Sequence, residues 1–238
     1  MRAFLSATKR FFAEIWSDAM LVALAFVPLF MGLVFRFGVP MLEGYLCGRL
    51  GRASILASYY PIFDLLLSIM TPIMFTAAGA MVILDEADLG LAKAIAVTPV
   101  GRGGYLASRI GVPALLATVY CVIVTLVFKL SDMNALQLLL LAVCSGALSV
   151  SVALMISTLA KNKVEGLAYS KLSGLFVLGL PVALLVPAPF KYASAFLPTF
   201  WMTELTLSGS LWLTLPAIMT SVLLSLIFVR YFEKKVLG

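Results

Sequence analysis

Six long apolar runs, at about residues 19–37, 61–84, 107–129, 135–160, 170–189 and 211–230, alternate with short polar segments along the 238 residues. Each run is close to the roughly 20 residues that a helix needs to cross the hydrocarbon core of a bilayer. The runs are continuous, whereas the strands of a membrane β-barrel alternate apolar and polar positions. The pattern therefore predicts an all-α polytopic membrane protein with six transmembrane helices, one transmembrane domain over residues 1–238. Five of the runs contain proline, at Pro28, Pro72, Pro113, Pro181 with Pro187, and Pro216. Inside a bundle such prolines kink a helix without breaking it, because neighbours re-satisfy the freed carbonyls.

Residues 1–18 follow a different rule. At about 100° per residue, Phe4, Leu5, Thr8, Phe11, Phe12, Ile15 and Trp16 share an arc of about 140°. Arg2, Ser6, Lys9, Arg10, Ala13, Glu14 and Ser17 take the remainder. This predicts an amphipathic helix lying in the headgroup plane. Glu14 and Asp18 stand where a secretory signal would need its uncharged apolar core, so the segment is read as retained.

Two polar segments face one side of the bundle. Residues 38–60 form the longest predicted loop, with Glu43, Arg49, Arg52, Tyr45, Tyr59 and Tyr60. Residues 190–210, with Pro198, Trp201 and Glu204, are too short and too interrupted to span, and are expected to dip into the outer leaflet and return. On the other side lies the most informative stretch. Asp85, Glu86 and Asp88 are followed by Gly90, by Leu89, Leu91, Ala92, Ile95 and Ala96, and then by Thr98-Pro99. Asp85 is positioned to cap a helix whose third residue is Asp88, a variant of the capping box, and Thr98-Pro99 would end it. A short apolar-faced helix between two spans is expected to dock a partner outside the membrane.

Composition removes whole classes of function. An apolar share of 63%, a charged share of 12% and a mean hydropathy of +1.10 exclude an ordinary soluble domain. Of the 17 basic residues, 12 fall on one side: Arg2, Lys9, Arg10, Lys93, Arg102, Arg109, Lys161, Lys163, Lys171, Arg230, Lys234 and Lys235. Arg36, Arg49, Arg52, Lys129 and Lys191 fall on the other. By the positive-inside rule the first side, with both termini, is cytoplasmic, which predicts a multi-pass protein of the cell (inner) membrane. The net charge of +6 thus reports topology, and no nucleic-acid partner is expected.

Histidine is absent and Cys47, Cys121 and Cys144 have no paired spacing, so neither a metal site nor a disulfide framework is expected. The chain has no phosphate-cradling G-x-x-x-x-G-K-[ST] motif and no catalytic constellation, so it is not expected to be an enzyme or to bind a cofactor of its own. Asp64 is the one carboxylate clearly embedded near a run. It is expected in the first turn of its helix, facing water; an ion-coupled carrier needs more intramembrane chemistry than this one carboxylate, so ion-coupled transport is disfavoured. Ala77-Ala78-Gly79-Ala80 and Ser145, Gly146, Ala147, Ser149 and Ser151 allow close helix approach, either within the chain or to a second copy.

Glu86-Ala-Asp88-Leu-Gly90 followed by Thr98-Pro99 resembles the E-x-E-x-G…T-P segment of the permease subunits of type-2 class ABC exporters, the ABCG-like or type V fold. Asp88 replaces the usual second Glu, and Leu91 stands where Thr is common. The order of parts is similar too: an amphipathic connecting helix, six spans, the segment after span two, the basic loop Lys161-Asn-Lys163-Val-Glu165 and Leu-Pro-x-x-Trp from Leu197 to Trp201.

The resemblance implies a half-transporter. Two permease copies, identical or related, would enclose the path within membrane lipid, and two separate ATPase subunits would hold ATP and Mg. It implies a coupling helix made of Glu86, Asp88, Leu89, Gly90, Leu91, Ile95, Thr98 and Pro99, with a secondary cytoplasmic contact at Lys161, Lys163 and Glu165. Few charges line the spans, so an amphiphilic cargo such as a drug, antimicrobial peptide or lipid is expected. Met70, Met74, Phe75, Met155 and Phe176 are candidates for a plastic, apolar path. The alternative reading is a membrane interaction or assembly protein that does not itself transport.

Overall fold

The structure, a computed structural model, describes residues 9, 13, 16–97 and 101–236. The amphipathic helix expected over 1–18 falls mostly outside them, as do Thr98 and Pro99. Among the described residues there is no strand. Six helices are long and apolar enough to cross a membrane: α1 (Leu21–Leu50), α2 (Tyr60–Asp88), α4 (Gly101–Phe128), α5 (Ala135–Leu159), α6 (Lys163–Leu185) and α8 (Thr214–Val236). Between them lie two short helices, α3 (Leu91–Ala96) and α7 (Pro198–Ser208).

The core is the α2–α5 pair. In their most apolar windows 78% and 72% of residues are buried, against 17–39% in the other four spans, so α1, α4, α6 and α8 form a shell with apolar outer faces. In lipid, helices associate by close packing and interhelical hydrogen bonds, and the small residues serve that purpose within the chain. Ser68 and Ser145 hydroxyls lie 3.2 Å apart, and Thr76 Oγ1 donates to Ser149 O at 3.2 Å. On the other side of α5, Ser151 Oγ donates to Ser221 O and lies 2.8 Å from Ser225 Oγ. Cys121 and Cys144 are buried within this packing, as small core residues.

Several boundaries differ from the sequence reading, each for a local reason. Residues 38–50 are helical rather than loop: nothing breaks the helix until Gly51, at φ +62°. The polar residues there follow the 30-residue α1, about 45 Å long, out of a hydrocarbon core about 30 Å thick. Glu43 then straps residues 51–59 back, accepting from Ile55 N at 2.8 Å and Leu56 N at 2.5 Å. Span five begins earlier than expected, at Lys163, because Asn162 caps it by accepting from Glu165 N at 2.9 Å, while Glu165 accepts from Lys161 N. Its middle, Ser173–Leu178, is a tighter 3-10 segment.

Asp64 is buried rather than facing water. Its carboxylate accepts from Leu130 N at 2.8 Å, Ser131 N at 2.9 Å and Ser131 Oγ at 2.5 Å, fastening the α4–α5 turn at the end of the bundle remote from both termini.

The segment expected to dip and return contains α7, of 11 residues. At roughly 16 Å it is too short to cross. It is wedged against α6 at Gly179, where a Cβ would stand 2.5 Å from Phe200 N, so only glycine permits this contact. Trp201 Nε1 donates to Ala195 O at 2.7 Å, and Lys191 Nζ meets Glu204 at 2.6 Å. The hydrogen bond to Glu204 raises the Lys191 pKa above its ordinary value.

Candidate coupling face and apolar groove

The base of the bundle, where α1 begins and α8 ends, gathers most of the polar candidates. Helix α2 does not stop at Leu84 but continues through Asp85, Glu86 and Asp88. Asp85 is therefore no N-cap, since it belongs to the last turn of a span. The chain turns at Gly90, whose φ of +70° costs a residue with a Cβ about 1–2 kcal/mol, and the six residues of α3 follow.

Glu86 is not offered to a partner. It is 3% exposed, and its carboxylate accepts from Arg109 Nη2 at 2.5 Å, Arg109 Nε at 3.0 Å and Tyr105 Oη at 2.9 Å. Arg109 is 1% exposed and Tyr105 wholly buried. The bidentate pair joins the last turn of α2 to the first turns of α4, so it closes the root of the excursion that carries α3. Removing one partner of such a pair leaves a buried charge uncompensated, at about 3–5 kcal/mol.

Arg109 sits in a π-turn, Ala107–Gly111, that ends two residues before Pro113. A second π-turn, Val34–Gly38, ends two residues before Pro40 and carries Arg36, which donates to Lys129 O at 2.7 Å. A proline ring clashes with the carbonyl four residues back, here that of Arg36 or Arg109. Widening the turn relieves the clash, and in both cases an arginine reaches across to a neighbouring helix.

Lys163 is occupied as well. Its ammonium bridges Asp18 at 2.6 Å and Asp85 at 3.0 Å, tying the start of α6 to the start of α1 and the end of α2. Glu165 is engaged in capping, while Lys161 is exposed. Of the residues expected to meet a partner, Asp88, Leu89 and Leu91 are exposed, and Leu89 is 74% so. Ile95 turns inward and packs against the core beside buried Ala92. Val97, which the sequence pattern did not single out, is 87% exposed. Leu89 and Leu91 overhang a cleft of about 250 Å³ with Leu21 and Val82 in its wall and Asp18 and Asp85 beside them. The result is an apolar ledge with carboxylates beside it.

The five path candidates separate. Met155 and Phe176 meet in a groove of about 410 Å³ along α6, with Leu159, Tyr169, Leu172, Leu175, Leu178, Phe196 and Leu197. Met70 and Met74 lie on one helical stripe with Met81. Met81 meets Gly166 of α6, so this stripe is turned towards span five. Phe75 points elsewhere, with its ring 6.2 Å from that of Tyr120 on α4. Among the described residues no cluster of His, Cys, Asp and Glu has the make-up of a metal site.

The family model described as "Fluoroquinolones export permease protein Rv2686c-like" matches residues 11–232. The chain is 26% identical over 192 residues to the fluoroquinolones export permease protein Rv2686c of Mycobacterium tuberculosis H37Rv, covering 79% of this chain and 75% of that protein. It has the same identity and coverage with the fluoroquinolones export permease protein MT2760 of M. tuberculosis CDC 1551. No solved structure matches. With its six membrane-spanning helices and a family match over nearly its whole length, the chain belongs to the Rv2686c-like family of fluoroquinolones export permease proteins.

Proposed function

We propose that this chain is the membrane subunit of an ATP-driven exporter and works with a separate ABC ATPase, two copies of each making the transporter. The observation that carries the coupling is the base. A six-residue helix that begins at exposed Leu91 and is flanked by exposed Leu89 and Val97 is anchored by a buried Glu86–Arg109 pair to the ends of two spans. A partner that pushes on this ledge moves α2 and α4 together. ATP and Mg belong to the ATPase. Its docking face is expected to present apolar side chains to Leu89 and Leu91 and a basic group to the exposed Asp88.

The base is then cytoplasmic, as are both termini, and the membrane is the inner one. The cargo is an amphiphile of the fluoroquinolone kind, a flat aromatic body with few charges. Its route follows the α6 groove with Met155 and Phe176, flanked by the stripe bearing Met70 and Met74. Because that groove opens on the outside of one copy, a second permease copy is expected to close it. The test is accumulation of a fluorescent fluoroquinolone in efflux-deficient cells expressing this chain with its ATPase. Accumulation should fall, and a Walker-motif variant of the ATPase should restore it. Unchanged accumulation by an intact, assembled pair would remove the export reading and leave the assembly-protein alternative.

A further inference from the structure

A second groove lies at the base, between α5 and α8, and neither the coupling face nor the α6 groove accounts for it. It has a volume of about 490 Å³ and is lined by Thr158, Leu159, Phe228, Tyr231 and Lys234. Phe228, Tyr231 and Lys234 follow one another at three-residue spacing, so they form a stripe on α8 that runs from apolar to cationic towards the base. Leu159, Phe228 and Tyr231 make the wall aliphatic and aromatic, with the buried Thr158 among them and the exposed Lys234 at the end nearest the base.

The helix register adds further charge at that end, the rim of the groove. Cys144 Sγ reaches Thr214 O, and about two turns on, Ser151 contacts both Ser221 and Ser225, which sets α5 and α8 parallel with an offset of 70 to 74 residues. The same offset brings Lys161, just past the end of α5, level with residues 231–235. Lys161, Arg230 and Lys234 are all exposed, and none is in an ion pair among the described residues. Glu165, the nearest acid after α5, is occupied in capping, and Glu233 is the one described acid in the last turns of α8. The rim thus has an excess of uncompensated cations above an apolar trough.

We propose that this groove binds an anionic phospholipid, with an acyl chain along Leu159, Phe228 and Tyr231 and the phosphate among Lys161, Arg230 and Lys234. Charge complementarity selects the occupant. Any lipid tail satisfies the trough, but only an anionic headgroup satisfies three cations at the membrane surface, where each is worth about a fivefold gain in affinity. The Lys234 stem lies along the apolar wall while its ammonium group reaches the headgroup layer. The site stands apart from the ATPase ledge, and the proposal does not depend on the export reading.

The test is lipid retention by the full chain purified in mild detergent, with phosphatidylglycerol and phosphatidylethanolamine counted by native mass spectrometry. The wild type is expected to retain phosphatidylglycerol at several times its share of the source membrane. K161Q/R230Q/K234Q should return it to that share, with helix content and melting temperature as the check on folding. K234Q alone should lower retention several-fold, which keeps the test decisive if the triple variant fails to fold. Inorganic phosphate at equal charge concentration should not raise the melting temperature, whereas phosphatidylglycerol should. Retention that stays at the membrane average, survives these substitutions or is matched by free phosphate would overturn the proposal, as would loss of ATPase association rather than of lipid in K234Q.

Discussion

At the residue scale, two ion pairs of the base look alike in the sequence and differ in consequence. The Glu86–Arg109 pair is sealed from solvent and further bound by Tyr105, whereas Lys163 with Asp18 and Asp85 is part-exposed. Arg109→Ala should therefore cost about 3–5 kcal/mol, and Lys163→Ala about 1 kcal/mol or less. Thermal unfolding of the two variants in one detergent measures the contrast, and equal losses would mean that Arg109 is not sealed. The sequence singles out Glu86 as a residue to meet a partner's basic groups, whereas its observed partner is Arg109 of the same chain. Its partner is 23 residues away, across a turn and a short helix, and no local spacing announces such a pair. The Arg-x-x-x-Pro spacing at Arg36–Pro40 and Arg109–Pro113 went unread in the sequence, because its meaning depends on the π-turn before each proline.

At the element scale, apolar periodicity located all six spans, because roughly 20 apolar residues in lipid have few alternatives to a helix. It misjudged ends. Helix α1 runs on through polar residues to Gly51, since polarity does not stop a helix and a left-handed glycine does. The same distinction explains the coupling segment, where three carboxylates suggested a helix start but belong to a helix end, and Gly90 makes the break. Gly90→Ala should destabilise this corner by about 1 kcal/mol, seen as faster amide exchange in residues 89–96 with the spans unchanged. Gly179→Val should do more, about 1–3 kcal/mol, because the new side chain meets the backbone of α7 at Phe200. The expected readout is a lower melting temperature with increased proteolysis near residues 186–197. A wild-type melt would show that α6 and α7 are not in contact.

For the whole molecule, the apolar residues expected to form one docking face divide, with Leu89 and Leu91 exposed and Ala92 and Ile95 turned into the chain's own core. Ile95 serves the chain's own core and Val97 the surface, a choice fixed by how α3 packs on the start of α4. The proposed orientation rests on the distribution of basic residues, and cysteine labelling tests it. In a cysteine-free background an impermeant thiol reagent should label Ser54→Cys in sealed cells and Ala94→Cys only after permeabilisation. The most direct measurement of the central claim is co-purification of the ATPase with Leu91→Asp and Leu89→Asp at equal membrane abundance. Both side chains are exposed, so the fold and the Glu86–Arg109 pair should be untouched and the melting temperature preserved. Loss of a buried apolar anchor at an interface is worth about 2 kcal/mol, or about thirtyfold in affinity, so ATPase recovery should fall by at least about tenfold. Wild-type recovery with both variants would contradict the account and place the docking surface elsewhere on the base.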